Sequence, residues 1–573
     1  MNSKQRFRTR LMLACVIAAG CVLAAKLYDT DIINGGAYAA RAAAQYSKPS
    51  SALFDRGTIF FTSKDGTETA AAAVENGYLV YMNPMQVTDP QGDYQALSTL
   101  LPLDKASFIA HATKPGDPYE EIAHKVDAST SAAIQGLDLT GIRTAPETWR
   151  SYPGGTLAAH ILGVIGEDGT STAVSGRYGL EKYYDSVLSK PGVGPSIDAF
   201  ASLFSGIKDS VFGGSAQRSG DVVTTIDPAV QAYLEQVLSQ TESTWHPDQI
   251  GGIVIDPNTG AIVAMASHPT FDPNDLSSVK SNAVLSDPLV ESVYEMGSIM
   301  KPLTMAAALD SGAVGPDSTY DDTGCMTVSG RKICNYDLRA RGPATPMQQI
   351  LSQSLNVGAA TIALKMGADE YRKYFYSYGL GEKSGIDLPD EAAPLSGNLT
   401  IGADVDIATA SFGQGVAVTP VGMARALSVI ANGGYVVTPH VVKEIDYDDG
   451  SVVKVDPPRA GPVLSPKTVE EVKNMLVTVV DKAFRPGTIA RTHYSQGAKT
   501  GTAQIADPVH GGYYADRYLH SFFGFFPAYS PRFLVFFYQV YPKGAEYASE
   551  TLTAAYNDMA GFLINYYDIP PDR

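Results

Sequence analysis

Cysteine is scarce in this chain, and positive charge is outnumbered. Only 4 cysteines stand in 573 residues. Cys15 and Cys21 lie in an apolar run, while Cys325 and Cys334 bracket MTVSGRKI. A metal site needs more ligands than two cysteines, and none are grouped beside Cys325 and Cys334, so no metal is expected there. The pair reads either as a hairpin disulfide closed outside the cytoplasm or as two free thiols. Lys and Arg total 43 against 60 Asp and Glu, a formal net charge of -17. Nothing in that balance neutralises a phosphate backbone, which excludes a general nucleic-acid binder. The acidity reads as solubility. No internal repeat and no low-complexity run is present, and the composition is that of a globular protein, 45% hydrophobic and 18% charged.

What is there begins with length. A chain of 573 residues has room for two or three domains and a large core. Its first residues break the globular pattern: Lys4, Arg6, Arg8 and Arg10 precede an uncharged apolar run from Leu11 to Ala25, closed by Lys26. That run spans only about 22 Å as a helix, short of a hydrocarbon core of about 30 Å. Arg10 and Lys26 can snorkel, and Leu27 and Tyr28 can extend the helix. The basic side predicts a cytoplasmic N-terminus and an exported remainder. Three readings compete: a cleaved signal peptide, a lipid-modified Cys21, and an uncleaved signal anchor over 11–28 that follows a cytoplasmic 1–10. The anchor is the reading adopted.

From Asp29 to about residue 219 the chain mixes short strands, turns and helices without an obvious nucleophile. Lys114-Pro-Gly-Asp-Pro and Lys190-Pro-Gly-Val-Gly-Pro read as loops. Near Gly220 the character changes, and a boundary is placed there. DVVTTID alternates as a strand, and Pro228 opens a helical PAVQAYLEQVLSQ. Ile253–Ile255 and Ala261–Met265 flank Asp-Pro-Asn-Thr-Gly as a β-hairpin. Helical patterns cover MKPLTMAAALDSG, Met347 to Met366, Thr419 to Asn432 and Ser549 to Tyr566. GAKTGTAQI and HSFFGFFPAYSPRFLVFFYQVYP return to strand. The expected fold of 220–573 is one α/β (α+β) domain, with an antiparallel sheet built from early and late strands and helices between.

Chemistry concentrates in EMGSIMKPLT, residues 295–304, where Ser298 stands three before Lys301. At that spacing both share a helix face, so the amine can lie beside the hydroxyl. A helix N-terminus favours a developing oxyanion. The lysine can act as base only if burial or other cations supply neutral amine. Ser205/Lys208 and Ser277/Lys280 match the same four letters. The first sits in a Gly/Ser-rich stretch, and the second opens no long apolar helix. Pro302 demands that the helix begin close to Ser298. Ser298 is therefore expected at a helix N-terminus facing the strand of Lys499.

Two further motifs follow in order: Ser354-Leu-Asn356 and Lys499-Thr-Gly501, with Thr502 next. Ser396-Gly-Asn398 also matches the second pattern, whereas Lys-Thr-Gly occurs once. The ordered set Ser-x-x-Lys, Ser-x-Asn, Lys-Thr-Gly resembles that of the penicillin-binding proteins of the monofunctional class B kind, the D,D-transpeptidases of cell-wall synthesis. TTIDPAVQ, IDPNTGAIVAMASHPTFDPN, SFGQGVAVTP and AKTGTAQ resemble the family's transpeptidase domain. Asp55-Arg-Gly57, Arg150-Ser-Tyr-Pro153 and GRYGLEKYYDSVL resemble its non-catalytic pedestal, expected over 29–219.

The resemblance implies a penicillin-binding, β-lactamase-like catalytic fold and a role for each motif residue. Ser298 attacks the carbonyl between two terminal D-alanines of a peptidoglycan stem peptide, and Lys301 takes its proton. Ser354 relays a proton to the leaving D-alanine, while Asn356 orients Lys301 and the substrate amide. Lys499 supplies positive potential, and Thr500, Gly501 and Thr502 bind substrate, the two threonines holding its carboxylate. The N–H groups of Ser298 and Thr502 form an oxyanion hole. β-Lactams acylate the same serine, and no cofactor is implied. Arg56, Gly57, Glu181 and His160 read as structural.

The implied setting is the plasma membrane, with one span, an extracytoplasmic catalytic domain and a polytopic membrane glycosyltransferase as partner. No acidic glycosyltransferase motif is seen in this chain. Asn356 leans toward septal rather than side-wall synthesis. A D,D-carboxypeptidase or β-lactamase stands as an enzymatic alternative, and a β-lactam sensor or silent division scaffold as a non-enzymatic one. Length and a pedestal weigh against the lactamase. The few residues before Leu11 weigh against a sensor.

Overall fold

The computed structural model describes residues 55–167, 174–190, 218–484 and 488–573. The expected anchor, Cys15, Cys21, the Ser205/Lys208 match and residues 191–195 of the second loop lie outside the described residues. Among the described residues no helix is long and apolar enough to cross a membrane. They fall into two compact units, one of Val74–Trp149 and one of Arg56–Ala73, Arg150–Lys190 and 218–573.

In the smaller unit, helices Pro90–Leu97, Lys105–Ala112 and Ala128–Gly136 each start from an aspartate. The carboxylates of Asp89, Asp104 and Asp127 accept from N–H groups of the first turns, donors that a helix start leaves without partners. Strand Glu120–Val126 pairs antiparallel with the stretch Tyr78–Met82. Val80, Met82, Leu97, Phe108, Val126 and Ile134 form the core of this unit.

The larger unit is built on a five-stranded sheet. Its order is Ile262–His268, Gln249–Ile255, Phe533–Val540, Tyr513–Phe526 and Gly497–Ala506, antiparallel throughout. Early and late strands interleave as the sequence leads one to expect. The aromatic runs are explained by burial on both faces. Side chains alternate along a strand, so Phe522, Phe526, Val535 and Phe537 enter one core. Phe523, Phe525, Leu534 and Phe536 enter the other.

The first core is closed by helices Pro228–Trp245 and Thr553–Tyr566. The second is closed by a helical layer that includes Lys301–Asp310, Asn356–Met366 and Pro420–Ala431. Every residue of Pro420–Ala431 is buried, consistent with a helix apolar on all sides. A capping side chain followed by proline starts several helices of this unit, among them Pro228–Trp245 after Asp227, Pro420–Ala431 after Thr419 and Pro466–Thr478 after Ser465. Proline there sacrifices no helical hydrogen bond.

One expected element is divided. The apolar pattern from Met347 to Met366 reads as a single helix, but the structure has Met347–Ser352 and Asn356–Met366. Between them Ser354 takes a left-handed backbone, φ 55°. Such a conformation costs a non-glycine residue about 1–2 kcal/mol, so other contacts must hold it. Those contacts belong to the site below. Cys325 and Cys334 form a disulfide, joining paired positions of the hairpin Cys325–Val328/Arg331–Cys334.

Residues 56–73 also contribute to a second sheet of the larger unit, where Ile59–Thr62 runs parallel to Gly220–Thr224. Beside it Glu181 is fully buried between two arginines. Arg56 Nε donates to Oε2 at 2.5 Å and Arg150 Nε to Oε1 at 2.6 Å. Arg150 also donates to the Gly57 carbonyl. His160, likewise buried, meets the Val284 carbonyl and Ser267. Arg56, Gly57, Arg150, Glu181 and His160 are thus all held in packing contacts. Removing Glu181 leaves buried Arg150 without a carboxylate and Arg56 with Asp185 alone, and breaking a buried pair typically costs about 3–5 kcal/mol. Glu181→Ala is therefore expected to lower the urea midpoint of the full chain strongly, while Glu68→Ala on the exposed start of its strand leaves it near the parent value.

Candidate active site

Ser298 sits in a 3-10 turn, Gly297–Met300, that passes directly into helix Lys301–Asp310. Pro302 occupies the first turn of that helix, the position the sequence required of it. Gly297 has φ 65°, and a Cβ there would lie 3.0 Å from the Thr502 carbonyl oxygen. Gly501 of the Lys-Thr-Gly strand makes the matching approach. Its missing Cβ would stand 2.2 Å from Ser521 Oγ and 2.7 Å from the Met296 carbonyl oxygen. Two glycines thus let the edge strand Gly497–Ala506 press onto the turn that carries Ser298. Gly501 belongs to the site through the side chain it lacks. Ser521, on the neighbouring strand, donates to the Met296 carbonyl at 2.7 Å.

Lys301 is the centre of the arrangement. It is fully buried, and four oxygens surround its Nζ. Ser298 Oγ lies at 2.9 Å, the Ser354 carbonyl at 2.6 Å, Ser354 Oγ at 3.2 Å and Asn356 Oδ1 at 2.7 Å. The break in the helix at Ser354 turns both the carbonyl and the hydroxyl of that residue onto the amine. Asn356 in turn donates through Nδ2 to the Cys334 carbonyl at 3.0 Å. Lys499, also buried, donates to Ser354 Oγ at 3.1 Å and to the Thr500 carbonyl at 2.8 Å. Ser354 Oγ therefore lies between the two lysines. Thr502 Oγ1 accepts from the Ala548 N–H at 3.1 Å. The hydroxyl residues Ser298, Ser354, Thr500 and Thr502 stay half-buried while both lysines are sealed.

The other motif matches separate from this cluster. Ser277 Oγ is taken by the carboxylate of Asp275. Asn398 of the second Ser-x-Asn match donates to the Gly415 carbonyl. Sequence reasoning gave Glu295 no part. Its carboxylate accepts from the Gly415 N–H at 2.9 Å and from the Tyr513 hydroxyl at 2.9 and 3.1 Å. Gly297 N–H donates to the Gly413 carbonyl at 3.1 Å. The stretch SFGQG and the strand that starts at Tyr513 are in this way tied to the residues just before Ser298. No motif carries that signal, because the partners stand far apart in the chain.

Burial sets the charge state. It lowers Lys301 well below the usual lysine value, and the charge of Lys499 lowers it further. Burial alone brings Lys499 down to about 7. Both shifts disfavour the cation in the folded chain, so each lysine weakens the fold wherever it is charged there. For Lys499 the penalty is complete below about pH 7 and fades as pH rises toward the unfolded lysine value. Lys499→Met is expected to stabilise the fold by roughly 2 kcal/mol at pH 6. The gain should shrink between pH 7 and 10, read by chemical denaturation across that range. A gain that does not depend on pH would contradict the assignment.

A family model described as the penicillin-binding protein transpeptidase domain matches residues 250–559, and one described as the penicillin-binding protein dimerisation domain matches residues 55–192. Stage V sporulation protein D of Bacillus subtilis is 32% identical over 485 residues, 83% of this chain and 73% of that protein. Peptidoglycan D,D-transpeptidase FtsI of Escherichia coli is 26% identical over 580 residues, 99% of this chain and 93% of its own. Among solved structures, apo penicillin-binding protein 3 from Mycobacterium tuberculosis has a TM-score of 0.65 at 27% identity, covering 74% of this chain and 92% of the other. Penicillin-binding protein 2X from Streptococcus thermophilus has a TM-score of 0.72 at 21% identity, covering 90% and 80%, a likeness of fold. With three motifs gathered around two buried amines that share Ser354 Oγ, and both family models matched in sequence order, the chain belongs to the penicillin-binding protein transpeptidases of the class B kind.

Proposed function

We propose that the chain is a serine D,D-transpeptidase that cross-links peptidoglycan stem peptides through an acyl-enzyme on Ser298 and is acylated by β-lactams at the same atom. The observation that carries this reading is the surroundings of Lys301 Nζ. A neutral amine has two N–H bonds and one lone pair. The Ser354 carbonyl and Asn356 Oδ1 can only accept, so they take the two N–H bonds. The lone pair is then left for the hydroxyls of Ser298 and Ser354. That is the geometry of a nucleophile with its base.

Ser298 Oγ attacks the carbonyl carbon between the two D-alanines, and its proton passes to Lys301 Nζ. The oxyanion is met by the N–H groups of Ser298 and Thr502. As the C–N bond breaks, a proton travels through Ser354 Oγ to the leaving D-alanine amine. An acceptor amine from a second stem peptide then attacks the ester, the C–O bond breaks, and Ser298 recovers its proton. Among the described residues Lys499 has two acceptors in reach. A charged Lys499 therefore keeps a third N–H for the substrate carboxylate, beside Thr500 and Thr502. The strand of Lys499 lies at the edge of its sheet, where an extended peptide can add alongside.

Asn356 at the third position of Ser-x-Asn supports septal synthesis. The basic start and apolar run support a single membrane anchor with the catalytic domain outside the cytoplasm. A polytopic membrane glycosyltransferase is the partner such an enzyme needs, since this chain shows no glycan-polymerising motif.

Incubating the full chain with a fluorescent penicillin tests the reading directly. Stable labelling is expected, and Ser298→Ala should abolish it. Label on Ser298→Ala equal to the parent would sink the assignment, and rapid loss of label would favour a hydrolase. Lys301→Ala should slow acylation by roughly 10²–10⁴-fold. The pH profile of acylation follows from the two lysines. Lys301 must be neutral, so the rate rises through its lowered pKa, and Lys499 must be charged, so the rate falls above about pH 7. Lys499→Arg is expected to shift that falling limb upward.

A further inference from the structure

We infer that the disulfide-tied hairpin Cys325–Val328/Arg331–Cys334 is the positioning element for the Asn356 amide, and through it for Lys301. The inference rests on the proposed role of Ser298 and Lys301. A side-chain amide has two ends of nearly equal shape, one that accepts and one that donates. Which end faces Lys301 decides whether the amine is held or repelled. The Cys334 carbonyl can only accept, and it lies 3.0 Å from Asn356 Nδ2. It therefore selects the orientation that turns Oδ1 toward Lys301, at 2.7 Å.

The next residue grips the next position. Asn335 Oδ1 accepts from the Val357 N–H at 3.1 Å, so residues 334 and 335 hold the first two residues of helix Asn356–Met366. Asn335 is held in its turn. Its Nδ2 donates to both carboxylate oxygens of fully buried Asp322, at 2.9 and 3.1 Å, and its N–H donates to the Gly324 carbonyl at 2.9 Å.

The hairpin lies on the main core through Val328 and Ile333 but joins no larger sheet. Its two strands of four residues pair only with each other, and an isolated two-stranded ribbon is marginal in water. The disulfide ties the end of the ribbon nearest the site, because Cys325 and Cys334 are register partners there. Asn335 and Ile333 hold the chain on either side of Cys334, and the bond adds the constraint that fixes Cys334 itself against Cys325, so without it the Cys334 carbonyl is freer to leave its place opposite Asn356.

The test is the acylation rate of the full chain by a fluorescent penicillin, with and without dithiothreitol. That dithiol gives two electrons and two protons, the S–S bond breaks to two thiols, and the reagent closes to its cyclic disulfide. Reduction is expected to slow acylation about tenfold, a loss of about 1.4 kcal/mol in transition-state stabilisation, with recovery on reoxidation. The double variant Cys325→Ser, Cys334→Ser should show the slow rate and no response to the reagent. Asn356→Ala should be slow as well, and insensitive to reduction. A reduced parent that acylates at the oxidised rate overturns the inference. So does an Asn356→Ala protein that loses as much on reduction as the parent, because the bond then acts elsewhere. Unfolding of the whole chain on reduction overturns it too, since the hairpin is assigned one amide and not the domain. If Ser298→Ala still labels, the functional reading has failed instead.

Discussion

One lone pair governs this structure. A serine beside a lysine is ordinarily inert, because the lysine is charged and the serine keeps its proton. Here the amine is enclosed, its two N–H bonds have carbonyl partners, and what remains faces two hydroxyls. Each feature around the site bears on that state. Burial disfavours the cation, and Lys499 adds repulsion. The left-handed turn at Ser354 supplies two of the four oxygens from one residue. A continuous helix through this region would have kept the Ser354 carbonyl for its own ladder.

The surroundings serve distance more than chemistry. Gly297 and Gly501 remove the atoms that would hold the edge strand away from the turn that carries Ser298. Ser521 pins the Met296 carbonyl from the adjacent strand. Glu295 joins the turn to Gly415 and Tyr513, and desolvation raises its pKa above the usual carboxylate range. The glutamate is held by hydrogen bonds and by no cation among the contacts described. A site assembled from five separated stretches needs such ties, since each 1 Å of drift at the reacting atoms is costly.

Much of this was legible in the sequence, and the reasons for the rest are physical. Motif order selected Ser298, Lys301, Ser354, Asn356 and Lys499 from among decoys, and the structure gathers them around two amines. The aromatic strands and the Asp-Pro and Thr-Pro helix starts could be read because their causes are local. The break at Ser354 could not. Residues 347–366 carry an uninterrupted apolar helical pattern, and the left-handed turn is held by Lys301 and Lys499 from elsewhere in the chain. Glu295 was hidden for the same reason. The disulfide stood open between two readings, because nine residues of separation allow a bridge without requiring one.

The sheet order sets a schedule for making the enzyme. Strand Gln249–Ile255 finds its second neighbour only in Phe533–Val540, with Ile250 opposite Gln539. Strand Gly497–Ala506 reaches the rest of the sheet only through Tyr513–Phe526. During synthesis, Ser298 and Lys301 emerge long before the strands that enclose them. A nascent chain of this design has no closed pocket and no sealed lysine until its last sixth has been made. Pairings this distant in sequence also fold slowly. The interval before closure is when the half-built sheet, aromatic on both faces, most needs protection from other chains.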